Sequence, residues 1–302
     1  MIEKAKREIV RSSGDFKHST HELVHRGARQ LIFKADISID KGARCVVLRF
    51  IAPSNLQEMR SKEASAASEI DAASLDAQRD FYSVSCLSQP AFQTWGVMIN
   101  KYFPFKWADM IALESTCALV LQAQFYLLLQ SLSHLHRIDL AYGGLSFRTV
   151  RLNPGLVPHL ADYRFCLHKS CARFTKEELS HLDPKFLPRK LHDKFSGEEA
   201  VTFRIESGKA LDMYAFGACL YLAFYKQSKS HSSANALPEV SALNFVQREI
   251  PFIAQLNRKA LERLVTKLLG PEKARPTAAQ VMKDPFFEAL SSRPGARVSH
   301  IY

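Results

Sequence analysis

Residues 264–287 read LVTKLLGPEKARPTAAQVMKDPFF. Leu264, Val265, Leu268 and Leu269 recur at the spacing of one helical face, and Gly270-Pro271 ends that run because proline cannot continue a helix. Pro276-Thr277 then opens a second helix, with Thr277 as a capping side chain. The two amphipathic helices are expected over Asn257–Leu269 and Thr277–Leu290, with Arg275 in the turn between them.

Outward from this pair, Leu211–Phe224 (LDMYAFGACLYLAF) is apolar all round, as a helix enclosed by other helices is. Ile111–Leu135 carries Leu113, Leu119, Leu121, Phe125, Leu128, Leu132 and Leu135 in a wide stripe, which predicts a helix from about Trp107 onward. Short strands are expected near Val150–Leu152 and Val157–Leu160. The N-terminal third differs in texture. Residues 23–36 and 43–51 read as strands joined by a hairpin turn at Asp40-Lys41-Gly42, and Trp95–Phe103 reads as a buried strand ended by Pro104. Residues 56–81 contain neither Gly nor Pro and are rich in Ala, Glu, Lys and Gln, so they read as a helix with little apolar surface. The expectation is an α+β chain with an N-terminal extension (1–21), a small β-rich lobe (22–104), a larger helical lobe (105–290) and a tail (291–302). Lys226–Asn235 reads as a polar loop.

The 302 residues are 47% hydrophobic and 24% charged, enough for one large core or two adjoining ones and unlike a disordered chain. Lys plus Arg exceed Asp plus Glu by 41 to 30, a formal charge of +11 that favours acidic partners without selecting among them. The basic residues are dispersed with no aromatic-interleaved stripe, which favours a solvated basic surface over a nucleic-acid binder. Lys4, Lys6, Arg7 and Arg11 are either an anionic-lipid contact or one exposed helix face. The longest apolar runs, Cys117–Leu129 and Tyr214–Tyr225, fall short of the roughly 20 residues of a spanning helix, and residues 1–20 lack the apolar core of a signal peptide. A soluble chain is expected. Six cysteines without a CxxC pair give no zinc-site pattern, and Cys166 and Cys171 are the only close pair.

A small β-rich lobe, a connecting strand and a helical lobe ending in Arg-Pro-Thr and Asp-Pro-Phe-Phe resemble the protein-kinase fold. In that family the Arg, here Arg275, pairs with a carboxylate at the end of the activation segment, and Glu198 and Glu199 are both placed for it. Asp212-Met213-Tyr214-Ala215-Phe216-Gly217 is similar to the kinase D-x-W-S-x-G, whose Asp holds the catalytic-loop backbone. The catalytic-loop pattern H-R-D-L-x-x-x-N lies without a gap on residues 142–149. Tyr142 stands at the His, Gly143 at the Arg, Gly144 at the catalytic Asp, Ser146 where a cation is usual and Thr149 at the Asn. Eighteen residues beyond Gly144, Asp162-Tyr163-Arg164 is similar to D-F-G with its Asp kept and its Gly replaced.

The N-terminal lobe departs from the pattern too. Arg49, in Val46-Val47-Leu48-Arg49, stands where a phosphate-gripping Lys is usual, and Arg keeps the charge without the geometry. Residues 25–32 (HRGARQLI) occupy the place of the Gly-rich loop, with His25 and Gln30 at two Gly positions and only Gly27 retained. Asn100 aligns with the gatekeeper. Glu58, Glu63, Glu69, Asp71, Asp76 and Asp80 are all candidates for the helix carboxylate that pairs with the strand cation. The aromatic group Tyr102, Phe103, Phe105 and Trp107 falls at the hinge of the pattern and is explained by packing. Phosphoryl transfer requires a proton acceptor, two metal-binding groups and cationic phosphate contacts. Gly144 offers no base, Thr149 is a poorer ligand than Asn, and Asp162, the one retained metal candidate, has Arg164 beside it as an ion-pair partner. The resemblance therefore implies a pseudokinase with no catalytic residue, no metal site and no resident cofactor, weak binding of ATP with magnesium or manganese being left open. Asp212 and Arg275 are expected to be structural.

More narrowly, Glu22–Ala28 (ELVHRGA) resembles the entry strand of the secreted rhoptry and dense-granule kinases of coccidian parasites, including their group without a Gly-rich loop. That likeness implies secretion into the parasitophorous vacuole or cyst wall, and an oxidising route in which Cys166 and Cys171 are either a disulfide or two thiols. It implies a protein-binding scaffold or allosteric regulator acting on other secreted or host proteins. Some members of that group are active enzymes, so the rival expectation is an unconventional Ser/Thr kinase, and Gly144 is the residue that separates the two.

Overall fold

A computed structural model describes the backbone of residues 21–26, 30–39, 42–51, 84–86 and 96–101, and residues 103–169, 172–191, 199–226 and 237–290 with their side chains, Arg164 and Ser291 by their backbone alone. The expected helix over 56–81, its six acidic candidates, Gly27, Tyr102, Cys171, Glu198, the tail and all but the first residue of the polar loop lie outside these. The architecture is α+β, and the chain divides into two compact units, 1–103 and 104–302.

The first unit holds one antiparallel sheet of β1 (His21–Arg26), β2 (Gln30–Ile39), β3 (Gly42–Ile51), β4 (Val84–Cys86) and β5 (Gly96–Lys101), in the order β1-β2-β3-β5-β4. Residues 23–36, expected as one strand, are parts of two. The two strands are antiparallel, and Arg26 pairs with Leu31. The β2–β3 hairpin closes at Ile39 opposite Gly42, as the Asp40-Lys41-Gly42 signal predicts. Arg49 lies between Ile32 and Met98, Asn100 between Val47 and Val84, His25 opposite Ile32 and Gln30 opposite Ile51.

The second unit is mainly helical, with short strand pairs on its loops. β6 (Phe105–Lys106) leads into α1 (Trp107–Ala112) and α2 (Ala118–Arg137). The single helix expected over 111–135 is therefore two. The Thr116 hydroxyl donates to Met110 O at 2.7 Å and takes up a terminal carbonyl of α1, a local bond that competes with helix continuation. Leu113 falls in the connection and is 57% exposed, outside the stripe it was expected to join.

After α2 come β7 (Leu140–Ala141), β8 (Val150–Leu152), β9 (Pro158–Leu160), β10 (Leu167–His168), β11 (Arg173–Thr175), α3 (Lys176–Ser180) and β12 (Ala200–Thr202). They form antiparallel pairs β7–β10 and β11–β12, and a three-stranded set β6-β8-β9. β8 and β9 stand where short strands were expected, whereas the other two- and three-residue strands lack the length for a periodic signal. The second unit ends with α4 (Ile205–Phe224), α5 (Arg258–Leu269), α6 (Ala278–Val281) and α7 (Glu288–Ser291).

α4 is buried on every side, as its apolar composition predicts, and begins six residues before the apolar run. Phe125 of α2 meets Phe216 and Phe224 of α4 with ring centroids 5.5 and 5.8 Å apart, which places the core between these helices. Trp107 is wholly buried, and its indole N–H donates to Gln124 Oε1 at 2.9 Å, satisfying both polar groups. Asn257 caps α5, and Thr277 with Gln280 closes a reciprocal capping box on α6. The helix expected over Thr277–Leu290 is one turn only. Pro285 lacks an N–H, and Asp284 turns to cap a separate 3₁₀ turn at Pro285–Phe287.

Candidate functional site

The segment from β7 to β11 and the start of α4 bring the predicted catalytic-loop residues together. Asp212, on the first half of α4, is 1% exposed, and its two carboxylate oxygens accept from the N–H of Tyr142 and of Gly143, each at 2.7 Å. His136 Nε2 lies 3.0 Å from the same Oδ2 that receives Tyr142. Charge-assisted bonds to a buried carboxylate are strong and geometrically selective, so Asp212 clamps the loop at its first two residues.

Gly143 has φ 71°, the left-handed region where a side chain is costly. A Cβ there would lie 2.1 Å from the carbonyl oxygen of Phe165. A Cβ at Gly144 would lie 2.4 Å from Phe165 Cδ2, 2.9 Å from its Cγ and 3.0 Å from its Cβ. The absent side chain at position 144 thus leaves no vacancy. The Phe165 ring, itself 3% exposed, takes that volume and belongs to an apolar cluster with Ala141, Leu167, Phe174, Leu187 and Leu211. Interiors are close-packed, so a glycine in a loop that elsewhere carries a carboxylate permits a neighbour to move in.

Tyr142 is wholly buried, with its ring 5.6 Å from that of Tyr163 in an edge-to-face pair. Its hydroxyl donates to Thr149 O at 3.1 Å and accepts from Asp162 N at 3.0 Å. Burial, then the nearby Asp162 carboxylate, hold the phenol well above its ordinary pKa, so it stays a donor. Tyr142 therefore ties the start of the loop, its end and the Asp162 segment through one oxygen.

Thr149 turns inward. Its hydroxyl donates to Gly144 O at 2.8 Å and accepts from Ser146 N at 3.0 Å, and the Ser146 hydroxyl lies 3.3 Å away. Thr149, at the metal-binding Asn position, thus spends its oxygen on the loop's own backbone, and Ser146 is buried and carries no charge. Asp162 is half-buried, and the Arg164 side chain expected beside it lies outside the described residues. Among the described residues no group of three or more His, Cys, Asp or Glu side chains converges as metal ligands do. Of the two positions from which the kinase pattern holds magnesium, Asp162 keeps its carboxylate, while Thr149 has its hydroxyl engaged within the loop.

Arg275 sits away from this loop. Its Nε donates to Gly270 O and its Nη1 to Ala210 O, both at 3.1 Å, and the guanidinium lies 5.0 Å from the centre of the Tyr214 ring. It forms no ion pair among the described residues, and Glu199 is exposed with its carbonyl accepting from Lys176 N. Among the described residues, the contacts of Arg275 on the turn before α6 are backbone carbonyls and an aromatic face. Burial lowers the Arg275 pKa, with Glu272 and Tyr214 opposing that shift.

Cys166 is buried, and its expected companion Cys171 lies outside the described residues. Of the hinge aromatics, Trp107 is core and Phe105 is 48% exposed. Sequence reasoning missed Phe165 and the linking role of Tyr142. The available signal was the Gly143-Gly144 pair itself, which removes two side chains from a loop that must still be packed. No protein-family model matches the chain, and no curated protein matches it either. The kinase likeness accordingly rests on residues 135–164, 212–217 and 264–287 themselves.

Proposed function

We propose that the chain is a pseudokinase of bilobal protein-kinase-like fold, of the secreted coccidian rhoptry and dense-granule type without a Gly-rich loop, with the bradyzoite pseudokinase of that group as the point of resemblance. On this reading it acts as a protein-binding scaffold or allosteric regulator, within the parasitophorous vacuole or cyst wall. The observation that carries the proposal is the Phe165 ring in the volume of any side chain at position 144. A missing base alone is compatible with residual transfer through a substitute group or water. An aromatic ring packed at that position supports the loss of both, because it takes the volume that a proton acceptor there would need.

Two further features support the reading. Thr149 directs its oxygen into the loop, and the Tyr142 hydroxyl ties the Asp162 backbone to that loop, an arrangement suited to holding a shape. The Asp212 clamp and the Arg275 clamp retain the parts of the pattern that stabilise without taking part in chemistry.

The test is paired. The purified full chain is melted with and without millimolar ATP plus magnesium or manganese, and the same samples are assayed for ADP formation and for phosphate transfer to a generic protein substrate. A ligand that binds only the folded state raises the melting temperature by mass action, so no metal-dependent shift and no turnover are expected. Turnover abolished by Asp162→Asn would overturn the proposal in favour of an unconventional active kinase.

A further inference from the structure

We infer that the outer face of α5 is a docking surface for an acidic protein segment whose carboxylates repeat at helical spacing. It deepens the binding half of the reading above by naming the partner's chemistry, and does not depend on the loss of phosphoryl transfer.

α5 buries Ala260, Leu261, Leu264, Val265, Leu268 and Leu269, and turns Lys259, Arg263 and Lys267 to solvent. These three stand at i, i+4 and i+8, a line of cations about 6 Å apart along the axis and about 12 Å long. No hydrogen bond or ion pair among the described residues engages their side chains. The helix has one acidic residue, Glu262, and Arg258 Nε already holds it at 2.7 Å. Lys273, exposed in the turn that follows, adds a fourth positive charge near the same end. The Lys and Arg residues that look dispersed in the linear sequence are thus gathered by the helix into one stripe.

The stripe works against the helix that carries it. Like charges at i, i+4 repel, and the first turn contains cations and no acid at the end where the helix dipole favours negative charge, while Lys267 in the last turn suits the dipole. A solvated face chosen only for stability would alternate signs. A partner supplying carboxylates at the same pitch relieves both penalties, and Arg263 at the centre can take one of them bidentately.

The composition of the face selects among anionic partners. Interfacial membrane helices add exposed large apolar side chains, and single-stranded nucleic-acid sites add stacking aromatics. The exposed large apolar residues of the described chain, Phe105, Leu113, Val246 and Phe252, all lie off α5 and off the turn that follows it.

The experiment uses the full chain and a labelled alanine-based helical peptide with Glu at i, i+4 and i+8, followed by fluorescence anisotropy. A permuted peptide of the same composition, phosphatidylserine-containing vesicles and a single-stranded oligothymidylate are the comparison probes. The wild type is expected to bind the ordered peptide at least about tenfold more tightly than the permuted one, with that preference lost in Lys259→Gln/Arg263→Gln/Lys267→Gln. Binding should weaken steeply with added salt. The melting temperature of the Gln variant, which removes repulsion, is expected to be no lower than that of the wild type, which separates lost binding from lost folding. Equal binding of the two peptides, binding unchanged in the Gln variant, or stripe-dependent binding of vesicles or oligonucleotide without the peptide would each overturn the inference. ATP turnover in the parallel assay would overturn the pseudokinase reading and leave the peptide result standing.

Discussion

Introducing a side chain at Gly144 tests whether the loop is packed shut. In Gly144→Ala the new Cβ would meet Phe165 Cδ2 at 2.4 Å, closer than real Cβ contacts, and Phe165 is buried in one apolar cluster with Phe174, Leu187 and Leu211. Overpacking of this kind costs about 1–3 kcal/mol, and a glycine-to-alanine change at an unstrained position returns about 0.4–1 kcal/mol through the unfolded chain. The net expectation is a loss of about 1–2 kcal/mol, or roughly 2–8 °C in melting temperature for a unit of this size. Gly144→Asp, the change that would write back the family's carboxylate, should cost more, since it adds an unpaired charge to an apolar cluster. Pairing Gly144→Ala with Phe165→Leu should relieve part of the clash, so the double variant is more stable than the sum of the singles by about 0.5–2 kcal/mol. Urea unfolding followed by far-UV circular dichroism measures the wild type, the three single variants and the double variant. A Gly144→Ala variant as stable as the wild type, or strict additivity in the double variant, would refute the packed-loop account.

Gly143→Ala should be worse than Gly144→Ala, because it combines a positive φ with a 2.1 Å approach to a backbone oxygen that cannot rotate away; the same unfolding series checks the order. Tyr142→Phe removes the hydroxyl that bridges Thr149 O and Asp162 N, at a cost of about 1–3 kcal/mol, and faster amide exchange at Asp162 is its local signature. Asp212→Ala strands two buried N–H groups and should cost about 3–5 kcal/mol, with circular dichroism showing whether the second unit still folds. Asp139, at φ 57° and bound to Lys209 at 2.8 Å, has its carboxyl held below the usual range by the Lys209 hydrogen bond and charge. A depressed acid contributes stability above its unfolded pKa and loses it as pH falls through its folded pKa. Any advantage over Asp139→Asn should therefore be present at pH 7, fade below the ordinary carboxylate range and shrink in high salt, as chemical denaturation across pH would show.

The periodic and terminal signals were legible from residue order because they are local. The apolar run of α4, the Asn257 and Thr277 caps, and the hairpin register at Gly42 each depend on neighbours within a few positions. Where a local rule met a competing local bond the element shortened, as at Thr116 between α1 and α2 and at Asp284-Pro285 beyond α6. That position 144 carries no side-chain carboxylate could likewise be read directly, since residue identity alone shows it. What fills that place could not. Phe165 reaches Gly144 from 21 residues away, Asp212 reaches the loop from about 70, and the Arg275 guanidinium reaches carbonyls at Gly270 and Ala210. Three cations scattered over nine residues become a stripe only when the backbone winds 3.6 residues per turn. Residue order determined which chemical groups this chain possesses and which it lacks. Tertiary packing decided which groups share a volume, because close-packed interiors assign every space to some neighbour and the sequence does not name that neighbour.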